Sequence, residues 1–263
     1  MAHQNDTSGV GFPKTERPPV ALVTGANQGI GFQVAKELAA NGYIVFVGSR
    51  NFEKGKAAAE TIGPSAHPLQ LDVTDKASIT AASASIRTAY GYLDLLVNNA
   101  AISHAGKPGR TLEEMLAEGR ASIASVDEVR AIFETNVFGV IAVTQAMLPL
   151  LKESPSGRIV NVTSGVGSLT LNSNPDFPYR SAFSIGYGAS KTALNAVTLA
   201  FSIELEPTNI KVYAASPGFT ATALNNFQGT ETLEEGARNV VRAALDKNNS
   251  TAIFTGQDGP YPW

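Results

Sequence analysis

The sequence predicts a single α/β domain, a doubly wound parallel sheet of about seven strands with helices on both faces. Short apolar runs rich in β-branched residues recur along the 263 residues, and segments with helical periodicity separate most of them. No internal repeat and no low-complexity linker divides the chain. We therefore expect one domain over residues 19–263, preceded by a flexible, polar tail over residues 1–18.

The predicted strands are short apolar runs that end in polar or turn-forming residues. In chain order they are VALVT from residue 20, YIVFVGS from 43, PLQLD from 68, LDLLVN from 93, RIVNVT from 158, IKVYAA from 210 and TAIFT from 251. The helical patterns between them include GFQVAKELAANG, FEKGKAAAETIG, SVDEVRAIFETNVFGVIAVTQAMLPLLKE and ETLEEGARNVVRAALD. Because parallel sheets bind ligands at the carboxyl ends of their strands, we expect the site there.

The composition excludes several classes of function. The net charge is −3 without any basic cluster, so neither a nucleic acid nor a membrane is an expected partner. No run resembles a signal peptide or a membrane span. The chain has no cysteine, which excludes disulfides, thiolate nucleophiles and Cys-based zinc sites. These features are typical of a cytoplasmic protein, which is the predicted location.

Neither metal catalysis nor a serine hydrolase is predicted. The histidines His3, His67 and His104 are scattered, no HExxH motif occurs, and the acidic residues lack ligand spacing. Ser164 does not lie in a GxSxG elbow, and no histidine follows it along the chain.

A glycine-rich turn follows the first predicted strand. TGANQGIG places Gly25, Gly29 and Gly31 before a helix, where glycine lets a diphosphate approach the backbone and the helix N-terminus supplies free N–H donors. The spacing is GxxxGxG rather than the general GxGxxG. A glycine turn alone is weak evidence, but its place in the first strand–turn–helix unit predicts a dinucleotide site of Rossmann type.

The end of the second predicted strand indicates which dinucleotide is bound. An acidic side chain there would bind the free 2′-hydroxyl of NAD, but this chain has Ser49 and Arg50. Arg50 can pair with a 2′-phosphate and the small Ser49 leaves room for it, so NADPH/NADP+ is the predicted cofactor. A solvated loop arginine is the alternative interpretation.

Tyr187 and Lys191 lie one helical turn apart in IGYGASKTA and share a face. A tyrosine pKa of about 10 is too high for efficient proton transfer near neutrality, and a nearby ammonium lowers that pKa by favouring the phenolate. Such a tyrosine can donate a proton to a carbonyl oxygen as hydride reaches the carbon. Taken alone, the pair is also compatible with surface packing.

Several motifs occur in one order along the chain: TGANQGIG, NNAA from residue 98, Asn136 in a long helix, Ser164, YGASK and SPGFTAT. Together they resemble the short-chain dehydrogenase/reductase family over residues 19–263. The sequences NQGIG and GQDGPYPW are similar to its carbonyl-reductase-like members. The resemblance implies a Rossmann fold and an oxidoreductase.

The resemblance also implies roles for individual residues. Tyr187 is the expected proton donor, Lys191 lowers its pKa and holds the nicotinamide ribose, and Ser164 binds the substrate carbonyl. Asn136 completes the tetrad at a helix distortion, where it holds a water that links the lysine to solvent. The implied cofactor contacts are Gly25, Asn27, Gln28, Gly29, Ile30, Gly31, Ser49, Arg50, Asp72, Val73, Asn98, Ala100, Tyr187, Lys191, Pro217, Gly218, Thr220 and Thr222.

Two departures from the family pattern and one alternative interpretation qualify the resemblance. NNAA ends in alanine where the family usually has glycine, which adds a methyl group near the cofactor. The segment from Ser164 to Tyr187 is roughly ten residues longer than in compact members, which predicts a remodelled substrate entrance. Asp72 also suits the start of a helix, where Thr74 or Asp75 is the expected cap.

The loops expected over the nicotinamide are apolar and aromatic, with Arg180 as the one strong cation. An apolar or aromatic ketone or aldehyde is therefore the predicted substrate of an NADPH-dependent carbonyl reductase. The alternatives are an NADP-dependent alcohol dehydrogenase, a β-ketoacyl reductase and a non-catalytic NADP(H) sensor. The residues concerned, each of which could instead pack its loop, are Leu169, Leu171, Phe177, Tyr179, Phe183, Phe219, Leu224 and Phe227.

Two helical segments are apolar on more than one face, NVFGVIAVTQAMLPLL and ALNAVTLAFSIEL. This pattern predicts a homo-oligomer, a dimer or a tetramer. Trp263 is expected at such an interface, near the substrate, or packed on its own subunit.

Overall fold

A sheet of eight strands forms the centre of the computed structural model, which describes residues 17–106, 109–246 and 253–263. Its order is β3-β2-β1-β4-β5-β6-β7-β8, with parallel pairing up to β7 and an antiparallel last pair. The predicted doubly wound parallel sheet is confirmed. The strands are β1 (Val20–Thr24), β2 (Ile44–Ser49), β3 (Ala66–Gln70), β4 (Leu95–Asn98), β5 (Arg158–Val162), β6 (Lys211–Ala215), β7 (Ile253–Gly256) and β8 (Gly259–Pro260).

Helices cover both faces of this sheet. They are α1 (Gly29–Ala40), α2 (Phe52–Ile62), α3 (Lys76–Ala89), α4 (Leu112–Glu118), α5 (Val126–Phe133), α6 (Gly139–Leu151), α7 (Leu169–Ser173), α8 (Tyr187–Leu205) and α9 (Leu233–Leu245). The core is divided accordingly, with α1, α2 and α9 on one side of the sheet and α3, α6 and α8 on the other. Along β1, Ala21 and Val23 face the first cluster and Val20 and Leu22 the second, as strand alternation requires.

The observed elements differ from the predicted ones mainly at the sheet edges. β3 begins at Ala66, two residues before the predicted run, and it tolerates Pro68 because it is an edge strand. Residues 251–252 of the last predicted strand lie outside the described residues, and β7 begins at Ile253. The antiparallel β8 is too short for its sequence to show a periodicity.

A continuous helical run connects α5 to α6 through a π-helical turn at Glu134–Phe138. Although the sequence predicts no membrane span, Val126–Leu151 is long and apolar enough to be one by length and composition alone. The core helix of a soluble protein meets the same criterion, and Val143, Met147 and Leu150 of this run are fully buried against the sheet. Core packing therefore accounts for the apolar character of these residues.

The start of the described chain contacts the domain. Arg17 donates to Asp94 (2.9 Å), and its guanidinium carbon lies 3.4 Å above the centre of the Tyr92 ring. The Tyr92 hydroxyl donates to the Pro18 oxygen (2.9 Å). The predicted tail, residues 1–18, lies outside the described residues except at these last two positions.

Candidate active site

The carboxyl ends of β1 and β4 are joined by the side chains of Thr24 and Asn99. The Thr24 hydroxyl accepts from the main-chain N–H groups of Asn99 (3.0 Å) and Ala100 (2.9 Å). The Asn99 side-chain amide in turn donates to the main-chain oxygen of Thr24 (2.9 Å). These two residues hold the ends of β1 and β4 together beside the predicted dinucleotide site. Neither is predicted as a site residue, because the two are 75 positions apart in the sequence.

The glycine turn has the shape that the sequence predicts. Gly25 and Gly29 adopt positive φ angles of 63° and 61°. A Cβ on Gly31 would collide with the Asn99 side chain and lie 2.7 Å from the Gly25 oxygen. A Cβ on Gly29 would be 3.8 Å from the Thr222 methyl group, so the loop after β6 approaches the glycine turn from the opposite side.

The first turn of α1 is open to a ligand. Its N-cap, Gln28, makes no side-chain capping bond, and no acidic residue occupies the turn. By contrast, side chains cap α2, α3, α4, α5, α7 and α9. Free N–H donors at a helix N-terminus beside a glycine turn suit a diphosphate, so these residues fit a dinucleotide.

Ser49, the last residue of β2, borders the predicted adenosine end of the dinucleotide site. Ser49 is buried, and its hydroxyl donates to the Asn51 oxygen (2.9 Å) and lies 3.2 Å from Asn27 Oδ1. Arg50 is exposed and has no hydrogen bond or ion pair with any described residue. The guanidinium is therefore available to an external anion.

Two predicted cofactor residues already use their side chains within the protein. Asp72 Oδ1 accepts from both the N–H (2.9 Å) and the hydroxyl (2.7 Å) of Thr74. The Asn98 amide donates to Thr144 (3.1 Å) and Asn161 (2.9 Å) in the interior. Asp75 caps α3, which confirms one of the two expected caps.

The loop after β6 lies across the site from α1. A Cβ on Gly218 would collide with the Glu231 carboxylate, so a side chain at this position would displace that carboxylate. Thr220 is buried and its hydroxyl donates to the Gly218 oxygen (3.2 Å), and Thr222 begins a short 3-10 turn. Of the remaining predicted contacts, Ile30 lies in the first turn of α1, and Val73, Ala100 and Pro217 lie in the loops after β3, β4 and β6.

The structure brings the predicted tetrad together at the start of α8. Lys191 is 2% exposed, its Nζ lies 5.6 Å from the centre of the Tyr187 ring, and it donates to the Val162 oxygen (2.8 Å). Tyr187 shares a hydrogen bond with Ser164. The predicted proton donor, the predicted carbonyl-binding hydroxyl and the amine thus lie within one small region at the end of β5.

Asn136 lies in the π-helical turn, which confirms the expected helix distortion. Its amide group exchanges two hydrogen bonds with the main chain of Ile102, both 2.9 Å, and donates to the Ser190 hydroxyl (3.0 Å). The Ser190 hydroxyl donates to the main-chain oxygen of Tyr187 (2.7 Å). Asn136 is therefore connected to the first turn of α8 through Ser190, which lies within YGASK but is not among the predicted site residues.

The pKa shifts of the central pair differ from expectation. Burial raises the pKa of Tyr187 to about 12, although its hydrogen bond with Ser164 acts in the other direction. Burial lowers the pKa of Lys191 to about 7. The expected lowering of the tyrosine pKa by Lys191 is not found, because burial favours the neutral amine and so removes the positive charge that would stabilise a phenolate.

Aromatic side chains gather beside Ser164. Phe177 and Tyr179 form an edge-on pair with ring centres 5.8 Å apart, and Tyr179 lies 5.9 Å from Phe219. A Cβ on Gly165 would be 3.3 Å from the Tyr261 ring. The long loop before α8, the loop after β6 and the C-terminal segment therefore share one aromatic wall.

Other predicted substrate residues do not join this wall. Leu169 and Phe227 are 56% and 70% exposed. Trp263 packs on its own chain, where its ring lies 5.4 Å from that of Phe254 and its oxygen accepts from the N–H (3.1 Å) and hydroxyl (2.6 Å) of Thr170.

A segment that the sequence analysis treated as a loop borders Tyr187. It contains α4 and is held by Arg110, which donates to Glu118, Glu128 and the Ala105 oxygen, each at 2.6 Å. A small cavity beside Tyr187 is lined by residues of this segment, including His104 and Met115. The Gly and Pro content of this segment predicts only a loop. The ion pairs that order the segment join residues up to 18 positions apart, so no short sequence pattern indicates them.

Comparison with known proteins agrees with this geometry. The model of the short chain dehydrogenase family matches residues 19–232. The chain is 39% identical over 237 residues to the short-chain dehydrogenase anuI of Penicillium roqueforti, covering 87% of this chain and 89% of the relative. It is 31% identical over 298 residues to (+)-neomenthol dehydrogenase of Capsicum annuum, covering 90% and 94%. The structure of salutaridine reductase from Papaver somniferum superposes with a TM-score of 0.75 at 28% identity, covering 90% and 99%.

The burial of Lys191 predicts a distinctive dependence of stability on pH. Because its pKa is about 7 when folded and near 10.5 when unfolded, only the unfolded state binds this proton between those values. The free energy of unfolding should therefore rise with pH across this window. Chemical denaturation at pH 7, 8 and 9 should show wild type gaining up to about 1.4 kcal/mol per pH unit relative to Lys191→Met. If the free energies of unfolding of wild type and Lys191→Met change with pH in parallel, Lys191 keeps its ordinary pKa in the folded protein.

Proposed function

The chain belongs to the short-chain dehydrogenase family, and within that family we propose that it is an NADPH-dependent carbonyl reductase. Family membership and the named relatives make it an oxidoreductase that acts on alcohol and carbonyl groups with NAD(P)(H). The proposal adds the phosphorylated cofactor, reduction as the working direction, and an apolar or aromatic ketone or aldehyde as substrate. The hydrogen-bonded arrangement of Ser164 and Tyr187 beside Lys191 carries the proposal.

The tetrad accounts for the proton chemistry of the reduction. The bound cofactor supplies hydride to the carbonyl carbon. The hydroxyl groups of Ser164 and Tyr187, already hydrogen-bonded to each other, are placed to donate to the carbonyl oxygen, where negative charge develops. Tyr187 then gives up its proton to that oxygen. Its raised pKa keeps the phenol protonated, as a proton donor must be, until the alkoxide forms.

Lys191 and Asn136 support that proton transfer. Protonation of the Lys191 amine would stabilise the phenolate left on Tyr187, and a pKa of about 7 lets the amine gain and lose a proton near neutrality. Asn136 fixes the main chain of Ile102 and, through Ser190, the first turn of α8. We propose that these contacts keep the Lys191 amine and the Tyr187 phenol at a fixed relative position during turnover.

Aromatic and apolar surroundings support the proposed substrate class. Phe177 and Tyr261 lie next to Gly165, the residue after Ser164, and Tyr179 and Phe219 extend the aromatic wall from Phe177. Relatives of the chain are named as a dehydrogenase of neomenthol and a reductase of salutaridine. Arg180 is the one arginine or lysine in residues 165–186, and this scarcity of cations makes the loop poorly suited to the phosphate of an acyl carrier. A β-ketoacyl reductase is therefore less well supported, and the complete tetrad argues against a non-catalytic sensor.

The direct test follows NADPH absorbance with a panel of aryl ketones and aldehydes. Wild type should consume NADPH, and Tyr187→Phe should lower kcat by at least about a hundredfold because the proton donor is removed. Tyr179→Phe serves as a matched control that removes a hydroxyl from the aromatic wall without touching the tetrad. NADPH binding without turnover of any carbonyl would instead favour the sensor.

Arg50 should determine the preference between the two cofactors. Arg50→Ala should raise KM for NADPH by about tenfold or more and leave KM for NADH within about twofold, since only NADPH carries the 2′-phosphate. Arg87→Ala, on α3, is the matched control for loss of an arginine. Wild-type preference for NADH would show that Arg50 is merely a solvated side chain.

We propose that a second copy of the chain covers an exposed apolar face formed by α8 and the adjoining π-helical turn. Phe138, Leu199 and Ile203 on this face are 52%, 38% and 58% exposed. Sedimentation at micromolar concentration should show a dimer or tetramer for wild type and a monomer for Ile203→Glu, because the carboxylate would be buried at the interface. Ile123→Glu, at a residue 60% exposed elsewhere, should leave the assembly intact. Monomeric wild type would exclude the assembly.

A further inference from the structure

His104 lies beside the proposed proton donor but has no part in the tetrad. Its half-buried ring lines a cavity of about 30 Å³ together with Met115, Gly119, Ser184 and Tyr187. A cavity of this size holds a water molecule or a single small polar substituent rather than a whole substrate. The question is which substituent its lining would recognise.

The hydrogen bonds of Ser103 determine which His104 nitrogen carries the hydrogen. The Ser103 hydroxyl donates its only hydrogen to the Leu224 oxygen (2.7 Å), and the same Oγ lies 2.9 Å from His104 Nδ1. Since that hydrogen is used, Nδ1 must donate to Ser103 Oγ. In a neutral ring Nε2 is then unprotonated and can only accept a hydrogen bond.

The charges around the ring keep it neutral. Burial and the positive charge of Arg110 lower the pKa of His104, and the Glu128 carboxylate opposes this only in part. The ionisable groups around the cavity are Arg110 from the same segment, Glu118 from α4, Glu128 from α5 and Tyr187 from α8. Among the described residues, none is hydrogen-bonded to Nε2.

We propose that His104 is a specificity-determining residue whose Nε2 accepts a hydrogen bond from a hydroxyl group of the substrate. The substrate class is then a ketone or aldehyde that carries a hydroxyl group within reach of its carbonyl, rather than a purely apolar one. A methyl ether at the same place offers no hydrogen and adds a methyl group to a cavity sized for one hydroxyl. This inference rests on the proposed carbonyl reductase function and narrows it.

Ser103 acts as the positioning residue for this contact. It holds the ring through Nδ1 and is itself held by the loop after β6. Loss of its hydroxyl removes the acceptor for the Nδ1 hydrogen, so the hydrogen becomes free to move to Nε2, the usual position in an unconstrained ring. Nε2 would then be a donor instead of an acceptor.

The tautomer can be measured without any substrate. The chain has three histidines, so the imidazole nitrogen signals of labelled protein can be assigned with His104→Leu. Wild type should show protonated Nδ1 and unprotonated Nε2 at His104, and Ser103→Ala should move the population toward protonated Nε2. A wild-type ring already protonated at Nε2 would overturn the proposal.

The recognition itself is tested with paired ketones, the three hydroxyacetophenone isomers and their methyl ethers. In wild type at least one isomer should be reduced with kcat/KM about tenfold or more above its ether, equivalent to ~1.4 kcal/mol. In His104→Leu this ratio should fall to about one, whereas His104→Gln, which keeps an acceptor, should retain part of it. Because kcat/KM for the hydroxy ketone and for its ether are compared within one variant, a general loss of activity does not change their ratio.

The outcomes separate the two proposals. If His104→Leu keeps the full preference for the hydroxy ketone, or if wild type reduces ketones without any preference, the role of His104 is wrong while the reductase function stands. If wild type reduces none of the ketones, the reductase function fails. Titration of the His104 Nε2 signal with the hydroxyacetophenones then decides the site, since an unmoved signal overturns the hydroxyl contact as well.

Discussion

Burial of the Lys191 amine is the constraint on which the rest of the site depends. A buried ammonium costs several kcal/mol of solvation free energy, and this amine meets the cost by losing much of its charge and by donating to the Val162 oxygen. That bond places α8 against the end of β5. Buried side-chain hydrogen bonds from Thr163 to Asn195 (2.6 Å) and from Asn161 to Thr198 (2.9 Å) hold the same two elements together. The position of Tyr187, one turn before the lysine, is a consequence of this docking.

The π-helical turn connects α8 to the segment that follows β4. Asn136 exchanges two hydrogen bonds with the main chain of Ile102, which fixes the path of the chain where it leaves β4. The segment that follows is fixed again where Arg110 meets Glu128. Between these two points lies His104. The π-helical turn that carries Asn136 therefore also fixes where the segment that contains His104 begins, and such turns are frequent at functional sites.

Local sequence patterns predicted the parts of the molecule that local chemistry determines. The glycine turn, the Tyr187 and Lys191 pair and the alternation of strands and helices each depend on residues within a few positions of one another. The contacts that shape the substrate side do not. Ser103 and Leu224 are 121 positions apart, and Asn226 and Arg110 are 116 apart, so no local pattern records them. The pKa shifts of Tyr187 and Lys191 both follow from burial, which the spacing of the two residues does not reveal.

The loop after β6 connects the cofactor side of the site to the substrate side. Thr222 faces the glycine turn, Leu224 accepts from Ser103, and the Asn226 side chain donates to the Arg110 oxygen (2.7 Å). Asn226 and Phe227 both adopt left-handed backbone conformations, with φ of 52° and 59°, which cost of order 1 kcal/mol or more each and persist only where surrounding contacts impose them. These two strained residues lie where the loop turns away from the glycine turn toward the segment that contains Arg110. The shape of the loop is therefore set by its contacts with both the glycine turn and the segment that contains Ser103 and Arg110.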